Sequence, residues 1–369
     1  MITNETILEA LKKVQDPDLH KDIVSLGFVK DIEIKGGDVS FKVELTTPAC
    51  PVKDLLKQQC VSEVSKLQGV TKVSVEMTSR VQGAKQTTAL LPGVKNVIAV
   101  ASGKGGVGKS TVATNLAVAL GMLGAKVGLL DADIYGPSIP LMMGIHEKPL
   151  SSDGTRMNTI EHHGIKMMSI GFLMPEDQAL VWRGPIVAQA ITQLMRDVDW
   201  GELDYLIVDM PPGTGDAQLT MSQAVQLVGA VIVTTPQDVA LMDARRGVGM
   251  FQKVNVPILG VIENMSYYEC PQCHHRAEIF SYGGAHKAAD KMEVPFLGEV
   301  PLDIETRIAG DEGKPIVIAK PDSANAKAFM EVAKNLASTI SIIHHGDPGE
   351  RAKALGQKMF FANTRLKVI

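Results

Sequence analysis

Residues 1–77 switch repeatedly between helical and strand periodicity. Apolar residues recur every three or four positions in two stretches and alternate with polar residues in three others. The first spacing is typical of amphipathic helices and the second of half-buried strands. The predicted order is a helix at Thr6–Val14, strands at Phe28–Ile34 and Val39–Leu45, a helix after Pro51 and a strand at Val70–Met77. These elements predict a small N-terminal α+β domain.

A second pattern begins after a polar, glycine-punctuated stretch at 78–95, which is predicted to be a linker. Short β-branched runs then alternate with helical patterns across 96–346, and this alternation predicts βαβ units in an α/β domain. Its mostly parallel sheet should be flanked by helices, with ligands bound at the carboxyl ends of the strands. Residues 347–369 are predicted to form a C-terminal tail. The predicted strands are Val97–Ala101, Lys126–Leu130, Tyr205–Val208, Ala230–Thr234 and Ile258–Ile262.

Composition excludes several classes of protein. The 37 basic and 41 acidic residues give a formal net charge of -4 without a dense basic block, so we expect no nucleic-acid partner. Glu5 and Glu9 lie where a signal peptide needs positive charge, and no apolar run reaches the ~20 residues of a membrane span. We therefore expect a cytoplasmic protein that has no membrane partner. The four cysteines are too few for a disulfide scaffold, so reduced thiols are expected.

A glycine-rich segment follows the first predicted strand of the larger domain. It reads Gly103-Lys104-Gly105-Gly106-Val107-Gly108-Lys109-Ser110-Thr111 and continues into a helical run. The segment matches G-x-x-x-x-G-K-S/T in the strand–loop–helix setting of a P-loop. In such loops, backbone N–H groups and the helix N-terminus bind phosphate, the motif lysine reaches the β and γ phosphates, and the motif serine ligates Mg²⁺. The motif therefore predicts a P-loop NTPase, with the nucleotide bound by these nine residues.

Acidic residues follow two other predicted strands of this domain. Asp131 and Asp133 occur in LLDADIYGPS, and Asp209 occurs in YLIVDMPPGTGD. Phosphoryl transfer needs carboxylates that hold magnesium and orient the attacking water. Aspartates at strand ends also serve as helix caps, so that alternative stays open for each of the three.

Lys104, directly after the first glycine, resembles the second lysine of the deviant Walker A ATPases. That group includes the cell-division ATPase MinD, partition ATPases and the nitrogenase iron protein. The resemblance implies an ATP-bound homodimer in which Lys104 contacts the nucleotide across the interface. It also implies roles at other positions: Lys109 with Lys104 in catalysis, Asp133 on the attacking water, Asp131 and Asp209 with Mg²⁺, and Asn264 on the adenine edge. For Asn264, an amide that satisfies loop backbone is an open alternative.

Cys270 and Cys273 form a C-x-x-C pair six residues beyond Asn264. A disulfide oxidoreductase and a haem c attachment site both fit this spacing, but the P-loop and the lack of an export signal argue against them. Structural zinc with His274 and His275 is a third interpretation, although adjacent histidines would be strained at one ion. The fourth is a 4Fe-4S cluster, which takes four thiolates. Two copies in a homodimer would supply them.

Together these motifs resemble the Mrp/ApbC (Nbp35-like) iron–sulfur carrier family over nearly the whole chain. The resemblance implies ATP-dependent transfer of a subunit-bridging 4Fe-4S cluster from donors to apoproteins, with slow ATP hydrolysis as a conformational switch. The alternative is a MinD/ParA-type positioning ATPase with a structural zinc loop. The segments that carry the resemblance are GKGGVGKST, LLDADIYGPS, WRGP at Trp182–Pro185, DMPPGTGD, TTPQDVAL, ENMSYYECPQC and FLGEVP.

The N-terminal domain resembles the MIP18 family, through DPDL at Asp16–Leu19 and TTPACP around Cys50. That resemblance implies that Cys50 handles clusters, and a position at a helix start predicts a lowered pKa for its thiol. Packing or capping would explain Cys50 equally well. Cys60 lies on the apolar face of its predicted helix and is expected in the core.

Overall fold

A computed structural model gives the fold, and it describes residues 2–83, 90–151, 154–173, 184–347, 349 and 351. Some predicted features lie outside these residues. They are most of the C-terminal tail, part of the linker, and Trp182 and Arg183 of the WRGP segment. The division of the chain into 1–77, 78–95, 96–346 and 347–369 stays a prediction.

The N-terminal unit is a three-stranded sheet packed against two helices. β3 pairs antiparallel with β4, and β4 pairs parallel with β5. Val39, Phe41 and Val43 alternate inward along β4 and meet α2 residues such as Leu56 in a separate small core. The elements are α1 (Asn4–Leu11), β1 (Gln15–Asp16), β2 (Lys21–Asp22), β3 (Val29–Lys35), β4 (Asp38–Leu45), α2 (Lys53–Ser65) and β5 (Lys72–Ser79). All five predicted elements are present.

The larger unit is built on a nine-stranded sheet within the described residues, in the order β15-β14-β13-β6-β12-β7-β10-β9, with β16 on β14. Pairing is parallel except at β9 and β15. The strands are β6 (Val94–Ala101), β7 (Val127–Asp131), β9 (Ile160–His162), β10 (Ile165–Ser169), β12 (Leu203–Asp209), β13 (Leu227–Thr234), β14 (Ile258–Glu269), β15 (Arg276–Ala277) and β16 (Phe296–Leu302). A separate pair is β8 (Met157–Asn158) with β11 (Val198–Asp199).

Helices pack against this sheet and against one another. β13 is buried at every position, as a strand inside a covered parallel sheet should be. No helix in the described part of the chain has the length and apolar character of a membrane span. The helices are α3 (Lys109–Met122), α4 (Ile139–Met142), α5 (Gly184–Arg196), α6 (Asp216–Ala224), α7 (Asp238–Lys253), α8 (Gly284–Met292), α9 (Ile304–Asp311), α10 (Ile316–Ala319) and α11 (Ala324–His345).

The N-terminal unit contacts the larger unit at the amino end of its sheet. Thr47 Oγ1 and the Tyr205 hydroxyl lie 3.1 Å apart in a buried contact near the start of β12. Thr46 Oγ1 lies 2.6 Å from Ser341 Oγ on α11. The TTPACP loop is therefore at the opposite end of the strands from the predicted phosphate site.

Candidate functional site

The P-loop connects β6 directly to α3, as the motif predicts. Gly106 and Gly108 have φ values of +81° and +79°, a left-handed conformation that strongly favours glycine. A Cβ atom added to Gly105 or Gly106 would meet no heavy atom within 4 Å, so the space on that side of the loop is open. At Gly103, a Cβ atom would lie 2.3 Å from the Asp243 carbonyl carbon, because α7 packs on the loop there.

Lys109, at the start of α3, is bound to two of the predicted carboxylates. Its Nζ lies 2.6 Å from Asp209 Oδ1 and 3.5 Å from Asp133 Oδ2, and the lysine is only 6% exposed. Ser110 Oγ donates to the other Asp209 oxygen at 2.5 Å. Thr111 follows in the first turn of α3. The structure therefore brings the motif lysine, the motif serine and two strand-end aspartates into one cluster.

Asp131 serves this cluster indirectly. Its carboxylate accepts hydrogen bonds from the Asp133 N–H at 3.1 Å, the Ile139 N–H at 3.3 Å and Ser169 Oγ at 3.0 Å. It thereby holds the loop that carries Asp133. Ser169 was not predicted from sequence, because its contact depends on the pairing of β7 with β10.

Burial raises the pKa of all three carboxyl groups. The pKa of Asp131 reaches about 8, with the Asp209 carboxylate as a second cause. The pKa values of Asp133 and Asp209 are also raised by burial, while the Lys109 ammonium acts in the opposite direction on both. Asp209 and Ser110 supply oxygen atoms of the kind that Mg²⁺ prefers, although no three acidic, histidine or cysteine side chains of the described residues are placed to hold a metal by themselves.

Asn264, on β14, contacts the P-loop itself. Its Nδ2 donates to the Val107 carbonyl at 2.9 Å, and a Cβ atom on Gly108 would lie 2.2 Å from that nitrogen. The Asn264 amide therefore hydrogen-bonds to the backbone of the P-loop, which is the alternative role that the sequence left open. Its Oδ1 accepts no hydrogen bond within the described part of the chain, and adenine recognition stays a prediction.

Lys104 lies on the loop with its side chain half-buried. Its ammonium forms no ion pair among the residues that the structure describes. Its backbone carbonyl accepts a hydrogen bond from Ser102 Oγ at 2.9 Å, which fixes the loop backbone at this position.

Cys270 and Cys273 lie on the turn that joins β14 to β15. The Cys270 N–H donates to the His275 carbonyl at 3.0 Å, and the His274 N–H donates to the Cys270 carbonyl at 2.8 Å. Hydrogen bonds from the N–H groups of Cys273 and Gln272 lower the pKa of the Cys270 thiol. Such N–H···S contacts stabilise a thiolate, which is the form that binds metal.

The turn does not assemble a closed zinc site from the part of the chain that the structure describes. No third histidine, cysteine, aspartate or glutamate of the described residues is placed to share a metal with the two thiols. His274 Nδ1 lies instead 2.9 Å from Glu269 Oε1. A structural zinc site needs four protein ligands, so the described residues of one chain supply an incomplete set.

Cys50 differs from its prediction. Burial raises the pKa of its thiol to about 11, and the nearby Asp16 and Asp18 add to the shift. The predicted lowering of this pKa is wrong, because desolvation outweighs the backbone N–H of Val52. Cys60 is fully buried in the small core, as predicted.

Two further residues near the cysteine turn were not predicted from the sequence. Glu263 is fully buried and accepts from Ser266 Oγ, the Gly283 N–H and the Ala285 N–H, so that it fixes the middle of β14 to the start of α8. Arg276, the first residue of β15, lies over the Tyr267 ring. Neither belongs to a motif of fixed spacing, and only the fold brings their partners together.

The strand, glycine-rich loop, lysine and strand-end aspartates define a P-loop NTPase. A family model described as NUBPL iron-transfer P-loop NTPase matches residues 93–337, and a model for iron–sulfur cluster assembly proteins matches residues 4–76. The iron–sulfur cluster carrier protein of Synechocystis sp. is 50% identical, over 93% of this chain and 99% of the relative. That of Escherichia coli K12 is 44% identical, over 92% and 93%. The chain belongs to the Mrp/ApbC family of iron–sulfur cluster carrier P-loop NTPases.

Solved structures agree with this assignment. A nucleotide-binding protein of Archaeoglobus fulgidus in complex with ADP is 40% identical, with a TM-score of 0.56 over 64% of this chain and 92% of that one. The cell-division ATPase MinD of Pyrococcus furiosus is 25% identical, with a TM-score of 0.51 over 65% and 98%. The predicted fold class and family resemblance are both confirmed.

Proposed function

We propose that this chain binds an iron–sulfur cluster at Cys270 and Cys273, receives it from a donor and transfers it to apoproteins. One observation carries the proposal: two thiols share a tight turn on which the described residues supply no third metal ligand. The names of the relatives, which are iron–sulfur cluster carriers, support it.

A homodimer completes the metal site in this proposal. A 4Fe-4S cluster takes four thiolates, so two copies of the turn would bridge one cluster between subunits. The exposure of Cys273 leaves that thiol accessible to a second copy. Lys104, whose ammonium has no ion-pair partner in the described residues, is available to contact nucleotide across the same dimer.

ATP is the switch in this mechanism. Its phosphates would take the place of Asp209 and Asp133 at the Lys109 ammonium, and Ser110 with Asp209 would hold Mg²⁺, which neutralises phosphate charge when bound. Asp133, released from the lysine, would orient the attacking water. Hydrolysis should be slow, because a correctly placed second subunit must complete the site.

β14 links the two sites within the chain. The strand contacts the P-loop through Asn264 and extends to Glu269, the residue before Cys270. Between these points Met265 has a left-handed φ of +55°, and the pairing of β14 with β16 is irregular between Asn264 and Tyr268. A change in the P-loop on nucleotide binding can therefore alter the position of the cysteine turn through one element.

Anaerobic reconstitution with iron and sulfide tests the carrier function. We expect about four iron and four sulfide per dimer in wild type, a Mössbauer spectrum of a 4Fe-4S cluster, and cluster transfer to an apoprotein. Cys270→Ala/Cys273→Ala should lose the cluster and keep ATP binding, because the P-loop does not use these thiols.

Cys50→Ala is the matched control, since it also removes a partly buried thiol but lies at the other end of the sheet. It should retain the cluster. If the double variant keeps its cluster, the bridging site is wrong. Stoichiometric zinc without sulfide in wild type would favour the positioning ATPase instead.

A further inference from the structure

The hairpin that carries the cysteine turn is very short. β14 and β15 pair at only two positions, Tyr268 with Ala277 and Glu269 with Arg276. A two-stranded hairpin is marginally stable in water even when it is longer than this one. The orientation of the turn must therefore depend on contacts outside the strand pairing.

Arg276 makes several of these contacts. Its guanidinium carbon lies 3.7 Å from the centre of the Tyr267 ring and 4.3 Å from that of the Tyr282 ring. The two rings meet edge to face, with centres 6.3 Å apart. A guanidinium held against two aromatic rings gains cation–π attraction from both.

This stack is fastened to the main sheet. The Tyr282 hydroxyl donates to Glu299 Oε1 on β16 at 3.1 Å, and Arg276 Nη2 lies 4.0 Å from the same oxygen. Gly283, the residue after Tyr282, donates its N–H to the buried Glu263 carboxylate at 3.0 Å. Arg276 thus joins the strand that leaves the cysteine turn to β14, to the loop before α8 and to β16.

We propose that Arg276 is a positioning residue for the cluster, because it clamps the cysteine hairpin to the sheet through Tyr267, Tyr282 and Glu299. The inference rests on the proposed function of Cys270 and Cys273. A turn that is already fixed loses less conformational freedom when it binds a cluster, and its sulfurs are presented in one geometry to the second subunit.

Hydrogen exchange of the full-length apoprotein tests the clamp without any cluster. In Arg276→Gln, the hydrogen-bonded amides of Cys270 and His274 should exchange about tenfold faster, as expected from the loss of two cation–π contacts. Arg276→Lys, which keeps a cation over the rings, should restore much of the protection. Arg307→Gln is the matched control, since Arg307 is exposed and paired with Asp311 on α9.

Unchanged exchange at Cys270 and His274 in Arg276→Gln would overturn the clamp. Faster exchange throughout the central sheet would overturn it too, because that result means global destabilisation rather than a local opening. Tyr267→Leu should produce part of the local effect, since the Tyr282 contact remains, and adding it to Arg276→Gln should produce little further change.

The reconstituted protein gives the second readout. Arg276→Gln should lose its cluster to a chelator about tenfold faster than wild type and show altered visible circular dichroism, with Arg276→Lys close to wild type. Identical release rates and spectra in all variants would overturn the positioning role. If the wild-type protein binds no cluster, the proposed function is wrong. The hydrogen-exchange result on the apoprotein would still show whether Arg276 holds the cysteine hairpin against the sheet.

Discussion

At the residue scale, Asn264 supports the P-loop before any nucleotide is bound. Its Nδ2 donates to the buried Val107 carbonyl, and Asn264→Ala leaves that oxygen without its partner. We expect the free energy of unfolding of the nucleotide-free protein to fall by about 1–2 kcal/mol, since an unsatisfied buried carbonyl retains its desolvation cost. Urea denaturation without nucleotide measures this, and ATP affinity should also fall.

Asn335→Ala is the control for Asn264→Ala. Asn335 Nδ2 donates to the Leu297 carbonyl at the same 2.9 Å, but the residue lies on α11, away from the P-loop. This variant should lose comparable stability and keep its ATP affinity. If Asn264→Ala is as stable as wild type without nucleotide and weakens only ATP binding, the residue serves the base and does not support the loop.

At the element scale, the buried contact between Thr47 and Tyr205 joins the N-terminal unit to the larger unit. Its coupling energy can therefore show whether the N-terminal unit stays docked in solution. Tyr205→Phe removes a hydroxyl that burial keeps protonated, with a pKa raised to about 12. In a double-mutant cycle with Thr47→Val, we expect a coupling energy of about 1 kcal/mol in urea denaturation.

That cycle separates a docked unit from one that moves on its linker. Thr47 Oγ1 also accepts from the Ala49 N–H, so Thr47→Val alone costs more than one hydrogen bond and only the coupling term reports the contact. Thr46→Val with Tyr205→Phe is the matched pair, because Thr46 contacts Ser341 rather than Tyr205. Coupling near zero for Thr47 and Tyr205 would contradict docking in solution.

Elements that depend on local sequence were predictable. β13 and the first part of β14, Ile258–Ile262, follow from buried β-branched runs, whereas the extension of β14 to Glu269 was not predicted. The P-loop and the C-x-x-C turn follow from motifs of fixed spacing. β10 was missed because its run of Ile165–Ser169 contains two methionines, which have no strong strand preference. The raised pKa of Cys50 was unpredictable for a different reason: burial by tertiary packing, not the nearby helix start, determines its charge state.

At the scale of the whole molecule, the two thiol sites lie at opposite ends of the sheet. The P-loop and the cysteine turn extend from carboxyl ends of strands, whereas the TTPACP loop packs near Gly124 and Tyr205 at the amino ends. If a cluster binds at Cys270 and Cys273 as proposed, its direct passage from Cys50 of the same docked chain would have to cross from one end of the sheet to the other. A role for Cys50 in transfer would require another subunit or an undocked N-terminal unit.

His344 forms a contact within the larger unit that depends on pH. Its Nε2 donates to Asn96 Oδ1 at 2.8 Å, and the Asn96 amide donates in turn to the carbonyls of Gln82 and Asp204. The contact therefore joins α11 to β6, to the start of β12 and to the stretch after β5. Burial lowers the pKa of His344 to about 4, and the neighbouring His345 and Arg351 add to the shift.

The sign of the pH effect follows from the two protonation states. In the unfolded chain His344 takes up a proton near pH 6.5, whereas in the folded protein it stays neutral down to about pH 4. Its contribution to stability is therefore complete above pH 6.5 and is lost as the pH falls from 6.5 to 4. Because the side chain keeps some contact with solvent, we expect a loss of about 1–2 kcal/mol.

His344→Gln isolates this effect, since glutamine can donate to Asn96 but does not titrate. Urea denaturation at pH 7.5 and pH 4.5 should show a loss of stability on acidification that is about 1–2 kcal/mol smaller in the variant than in wild type. Asp131, with a pKa raised to about 8, favours the folded state as the pH falls, but this contribution cancels in the difference between the two proteins. Equal losses in wild type and His344→Gln would mean that His344 is protonated in the folded protein at pH 4.5 without cost, and that the acid sensitivity of the fold lies elsewhere.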